Sequence, residues 1–135
     1  MANSISRAAL RSLPIEDYKT YREQLQTGDL IFFSGNLIAS KLISMGTKSA
    51  FSHIGMVVRL DEIDRIFLVE AVETGVRFAP LSKYVGKHNR KGYFGAMAAA
   101  RIDSLTEEHK LAMARQAGDL LTQPYGFFNV FLFTC

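Results

Sequence analysis

Three side chains in this sequence have the chemistry of a nucleophile, a base and an orienting acid: Cys135, His53 and Glu70. A free thiol titrates near pH ~8.5, so it attacks well at neutral pH only beside an imidazole, at a helix N-terminus, or both. Cys135 is the single cysteine of the chain and follows an apolar run. It reads either as that nucleophile or as a small buried hydrophobe packed behind Phe131 and Phe133. His53 sits between a polar stretch containing Thr47, Ser49 and Ser52 and an apolar strand, where a pocket would meet a sheet; a structural histidine is the alternative. Glu70 is flanked by Phe67, Leu68, Val69, Ala71 and Val72. Away from a sheet edge such a carboxylate is desolvated and requires a partner. If the chain reverses at 61–64, His53 and Glu70 fall near the open ends of adjacent strands, and the acid can hold the imidazole in one tautomer. Otherwise Glu70 is a sheet-edge acid paired with Arg59 or Arg77.

Other chemistries find less support. Gly46-Thr47-Lys48-Ser49 resembles a phosphate loop only superficially, because that motif needs adjacent Gly-Lys and Thr47 stands between Gly46 and Lys48. His53, His88 and His109 have no metal-ligand spacing between them, so no metal and no cofactor is expected. The basic stretch Lys87 to Lys91 lacks interleaved aromatics and reads as a solvated loop, so nucleic acid is not an expected partner. One cysteine excludes an internal disulfide framework. No run approaches the ~20 apolar residues of a membrane-spanning helix. Met1 to Leu13 lacks the apolar core of a secretory signal, which points to a cytoplasmic protein, although delivery elsewhere is compatible with it. With 135 residues, 48% hydrophobic and 21% charged, and a net charge of +3, the chain has the balance of one globular domain.

The positioning elements follow from periodicity and punctuation. Ile15, Tyr18, Tyr21 and Leu25 after Pro14 predict a helix over 14–25, with Ser12 upstream as a cap. Leu30 to Phe33 is a buried strand between Thr27-Gly28-Asp29, read as a turn, and Ser34-Gly35. A short helix is expected over 36–45. His53 to Arg59 and Arg65 to Val72 form an antiparallel hairpin about the charged turn 60–64, and Val76 to Ala79 adds a third strand. Residues 80–85 are expected as a helical turn and 93–102 as a strand. Ser104-Leu105-Thr106-Glu107 matches a capping box, and Leu105, Glu108, Leu111, Ala112, Arg115, Gly118 and Leu121 define one face of a helix running to about 122. The order implies an α+β domain, a small antiparallel sheet with flanking helices.

Four segments taken in order carry a resemblance: Leu25-Gln-Thr-Gly-Asp-Leu-Ile-Phe-Phe33, Phe51-Ser-His-Ile-Gly-Met-Val-Val58, Leu68-Val-Glu-Ala71 and Phe133-Thr-Cys135. Over roughly 25–135 the chain resembles the circularly permuted papain-like amidases and cysteine peptidases of the NlpC-like superfamily, to which the lecithin retinol acyltransferases are related. The resemblance implies a permuted papain-like fold and a site in the chain order His, Glu, Cys. His53 would be the general base, Glu70 its orienting partner and Cys135 the nucleophile, with Tyr125 and Ser52 on the substrate-binding side. Asp29 is left as a turn residue, with a substrate-facing role the lesser alternative. In the family the cysteine usually opens a helix whose dipole lowers the thiol pKa. This sequence stops at Cys135, so either the domain continues past it or that helix is missing.

The activity so implied is hydrolysis of an amide bond in a peptide, a cell-wall peptide or an N-acyl amino acid, with a small-molecule or peptide substrate, acylated or not. A lipid acyltransferase or phospholipase using the same residues is the alternative, with Phe127, Phe128, Phe131 and Phe133 lining an acyl channel. A non-catalytic binding protein of the same fold is the third.

Overall fold

The computed structural model describes residues 6, 8–9, 12–35, 50–85 and 95–124. Five strands make one antiparallel sheet: β1 (Leu30–Gly35), β2 (His53–Leu60), β3 (Arg65–Val72), β4 (Gly75–Pro80) and β5 (Gly95–Ala100), in the order β4-β3-β2-β1-β5. Three α-helices are described: α1 (Tyr18–Tyr21), α2 (Ser82–Val85) and α3 (Glu107–Asp119). The α+β expectation therefore holds, as do the central hairpin, the third strand, the helical turn before 85 and the strand before Arg101. The helix expected over 36–45 and the basic loop 87–91 lie outside the described residues.

Strand pairing fixes which residues share a face. Because Ile31 pairs with Gly55, Phe33 with His53, Val57 with Leu68 and Glu70 with Arg77, these side chains all lie on one side of the sheet. Its middle is the core, built from Leu25, Ile31, Phe33, Val57, Ile66, Leu68 and Leu81, with Tyr18, Tyr21, Tyr84 and Met97 packed against it. Burying an aliphatic side chain of this kind contributes about 1.5–3 kcal/mol. At one end of that face the apolar surface gives way to His53, Glu70 and Arg77.

Two expected helices differ in extent. Only Tyr18–Tyr21 is α-helical within 14–25, and Ile15 is 99% exposed. With no surface for Ile15 to pack on, the first turn gains nothing, and the chain after Arg22 closes by i→i+3 bonds, Gln24 N to Tyr21 O and Leu25 N to Arg22 O. At α3 the cap is Thr106 rather than Ser104: its hydroxyl accepts from His109 N at 3.2 Å, and His109 Nδ1 accepts from Thr106 N at 3.3 Å. The helix therefore starts later than expected, and its inward face is different. Ala117 is buried and Met113, Ala114 and Leu121 are partly so, whereas Leu111 is 51% exposed. Beyond α3, Thr122 N donates to Val76 O and Val76 N to Gln123 O, both at 3.0 Å, so the chain passes along the free edge of β4.

Candidate functional site

His53 opens β2 and Glu70 lies near the end of β3, offset by one diagonal step on the shared face. Gly55 stands directly across from Glu70, so no side chain intervenes on that diagonal. His53 Nε2 lies 2.7 Å from Glu70 Oε2. The other oxygen, Oε1, accepts from Arg77 Nε at 3.0 Å and, in a short bond, from the hydroxyl of Tyr84. Beneath them Phe33 is buried, with its ring 5.3 Å from that of His53 and 5.2 Å from that of Tyr84. One core aromatic thus sets the height of both polar rings.

Glu70 is buried well inside the sheet, second strand from the edge, yet ionised. Burial pushes its carboxyl up, but the hydrogen bonds from His53, Tyr84 and Arg77 together outweigh that and hold it below the usual range. An ionised carboxylate can only accept, so His53 Nε2 carries the hydrogen and the neutral ring has its lone pair on Nδ1. Tyr84 moves the other way: burial first, then its bond to the Glu70 anion, push the phenol up to about 12. It remains a donor at physiological pH.

Arg77 and Tyr84 are residues the sequence reading did not place at the site, Arg77 having entered only as a partner for an edge acid. The signal for Arg77 was present. A two-residue turn at Glu73-Thr74 pairs Val72 with Gly75 and therefore Glu70 with Arg77. Arg59 is engaged elsewhere, on Asp61 and on the carbonyls of Arg22 and Leu25. Ser52 turns back on the sheet, its amide donating to Phe33 O at 2.8 Å and its hydroxyl to the same oxygen at 3.4 Å. Cys135 and Tyr125 lie outside the described residues.

Asp29 is more than a turn residue. It is buried, accepts from Gln26 N at 2.8 Å, and takes Nε and Nη2 of Arg101 on its two oxygens, each at 2.8 Å. It precedes β1, whose far end pairs with His53 through Phe33. Four residues of strand put about 13 Å between the two. The minor expectation of a substrate-facing Asp29 gives way to a structural ion pair.

Among the described residues the site is a histidine hydrogen-bonded to a buried carboxylate on one face of an antiparallel sheet. The chain belongs to the family of permuted papain-like amidase enzymes, YaeF/YiiX, C92, whose model matches residues 24–131. That stretch contains His53 and Glu70; Cys135 lies just beyond it. The chain is 33% identical over 105 residues to the uncharacterized protein YiiX of Escherichia coli K12, covering 77% of this chain and 48% of that one. It is also similar to the crystal structure of metalloprotein YiiX from Escherichia coli O157:H7, with a TM-score of 0.60, 31% identity, and coverage of 77% of this chain and 54% of the other. The chain therefore spans about half the length of these relatives. The fold is the permuted papain-like one.

Proposed function

We propose that this chain carries the Cys135-His53-Glu70 site of a thiol amidase. The observation that supports this best is the His53 Nε2 to Glu70 Oε2 bond at 2.7 Å, which leaves Nδ1 as the only basic nitrogen of the neutral ring. Nδ1 takes the proton of the Cys135 thiol. The thiolate attacks the amide carbonyl, a tetrahedral oxyanion forms, and the imidazolium returns its proton to the leaving nitrogen as the C–N bond breaks. A thioester and a free amine result. Water, deprotonated by Nδ1, then attacks the thioester and releases the acid and the thiol. Glu70 stays ionised throughout and offsets the positive ring.

The path of the chain is compatible with this. Pro124 lies just past the two bonds that tie residues 122–123 to Val76, one strand from Glu70. The eleven residues onward to Cys135 reach as far as about 36 Å when extended. The substrates proposed are amides of peptides, cell-wall peptides or N-acyl amino acids. The phenylalanines on which a lipid reading would rest lie outside the described residues, and no observation favours that reading.

One relative is a metalloprotein. Among the described residues no three histidines, cysteines or carboxylates come together, and both oxygens of Glu70 and Nε2 of His53 are already engaged. That donor set does not fit a metal centre.

The test uses the protein as encoded. Cys135→Ala and His53→Ala should each abolish hydrolysis of an N-acyl amino-acid amide, Cys135→Ala with the thermal midpoint nearly unchanged and His53→Ala with a lowered one because buried Glu70 loses a donor. The Cys135 thiol should alkylate rapidly at pH 6. Slow alkylation at pH 6, or full activity in Cys135→Ala, would refute the reading. A lowered midpoint with activity retained would make Cys135 a core residue.

A further inference from the structure

Two carboxylates are buried among the described residues, Asp29 and Glu70, and each is met by an arginine. The two arginines are used differently. Arg101 lays Nε and Nη2 on both oxygens of Asp29 at 2.8 Å, and Nη2 also reaches Gln24 O at 2.5 Å. Arg77 gives only Nε to Glu70, at 3.0 Å, and Nη2 makes a longer contact of 3.3 Å with the Tyr84 hydroxyl. Its Nη1 has no partner among the described residues, and the side chain is 51% exposed while Glu70 is 1% exposed.

Glu70 has no oxygen left to turn toward that outer edge, because Oε2 holds His53 and Oε1 already accepts two bonds. The Nη1–Nη2 edge of a guanidinium presents two N–H groups in the geometry of a carboxylate. Anchored at Nε, the side chain loses little further freedom when it captures a ligand. The edge also sits in the right place: Arg77 pairs directly with Glu70 across β3 and β4, on the sheet face and at the sheet end that carry His53.

We propose that Arg77 is the specificity residue of this site, binding a free carboxylate on the substrate. The substrates are then N-acyl amino acids or peptides whose carboxylate lies beside the scissile amide, in preference to neutral amides and to lipid esters. The assignment rests on the amidase reading for its meaning. Its test does not require turnover.

In the full chain carrying Cys135→Ala, N-acetyl-alanyl-alanine and its C-terminal carboxamide are titrated while the ¹⁵N-edited NMR spectrum, including the Arg77 Nε–H signal, is followed. The expected result is saturable binding of the acid, tighter than the carboxamide by at least about tenfold, a difference of about 1.4 kcal/mol. The preference should vanish in Arg77→Gln and shrink in Arg77→Lys, which keeps the charge and loses the fork. Should Arg77→Gln fail to fold, Arg77→Lys decides: an unchanged preference there overturns the proposal. So do equal affinities in the parent protein, binding of neither peptide at millimolar concentration, or inorganic phosphate displacing the acid better than acetate does. Selective binding with no hydrolysis by the unmutated protein would leave the carboxylate site standing and remove the amidase reading.

Discussion

Glu70 accepts from three donors with two oxygens, and that assignment decides which nitrogen of His53 is available for chemistry. Glu70→Gln should therefore damage both stability and activity: an amide can offer His53 its oxygen but must then turn an NH2 toward Arg77 and Tyr84. The expected loss of stability is about 1–3 kcal/mol, read by denaturant unfolding, together with loss of hydrolysis. Asp29→Ala is the contrasting case. It removes the acceptor of Arg101, which is itself partly exposed, and of Gln26 N, and should cost about 1–3 kcal/mol while kcat in the folded fraction is kept. A kcat lost in proportion to Glu70→Gln would return Asp29 to the site. The difference between these two acids was only half legible in the sequence. Glu70 announces itself because apolar neighbours on both sides force a partner on it. Asp29 follows Thr27-Gly28 and looks like any turn residue, since its arginine is 72 positions away. Tyr84 was hidden for the same reason: its hydroxyl meets Glu70 only once α2 is folded against the end of β4.

At the scale of elements, period-two runs and turn residues placed the strands closely, because each strand carries its own alternation and its own punctuation. Helices proved less legible. Whether 14–25 is helical depends on what lies beneath Ile15, and which face of α3 turns inward depends on what Ala117 packs against, neither of which local periodicity records. A glycine matters at the β3–β4 turn. Gly75 has φ of +115°, and a Cβ built there would stand 2.5 Å from the carbonyl oxygen of Gln123. Gly75→Ala should thus cost more than the ~1–3 kcal/mol of a strained backbone alone. It should also weaken the Thr122–Val76–Gln123 bonds that guide the chain past β4 on its way to Cys135. The expected outcome is a lowered thermal midpoint and faster amide exchange at Val76, with activity reduced further than at a control such as Gly118→Ala, where nothing lies within 4 Å of the added carbon. Equal behaviour of the two variants would show that the 122–123 segment does not matter to the site.

Across the whole molecule the sheet has an apolar middle and two polar ends with different work. At the end that carries Asp29, arginines are tied to Asp29, Asp61 and Asp64; at the other, Arg77 and Tyr84 hold the acid behind His53. At the second end Glu70 is held below and Tyr84 above its ordinary value, so the pH dependence of folding reports on the site. Glu70 titrates in the folded protein below its ordinary value of 4.5, so its contribution is complete above about pH 4.5 and is lost as the pH falls through the folded value. Tyr84, raised from 10.0 to about 12, contributes fully below pH 10 and loses that contribution as the pH climbs toward 12. The stability gap between the unmutated protein and Glu70→Gln should accordingly be flat through neutrality and narrow in acid, while Tyr84→Phe should remove the decline on the alkaline side. Urea unfolding at a series of pH values measures both. A gap that stays constant as the protein approaches acid unfolding would mean that Glu70 is not ionised in the fold, and with it would go the assignment of the free lone pair to Nδ1 of His53.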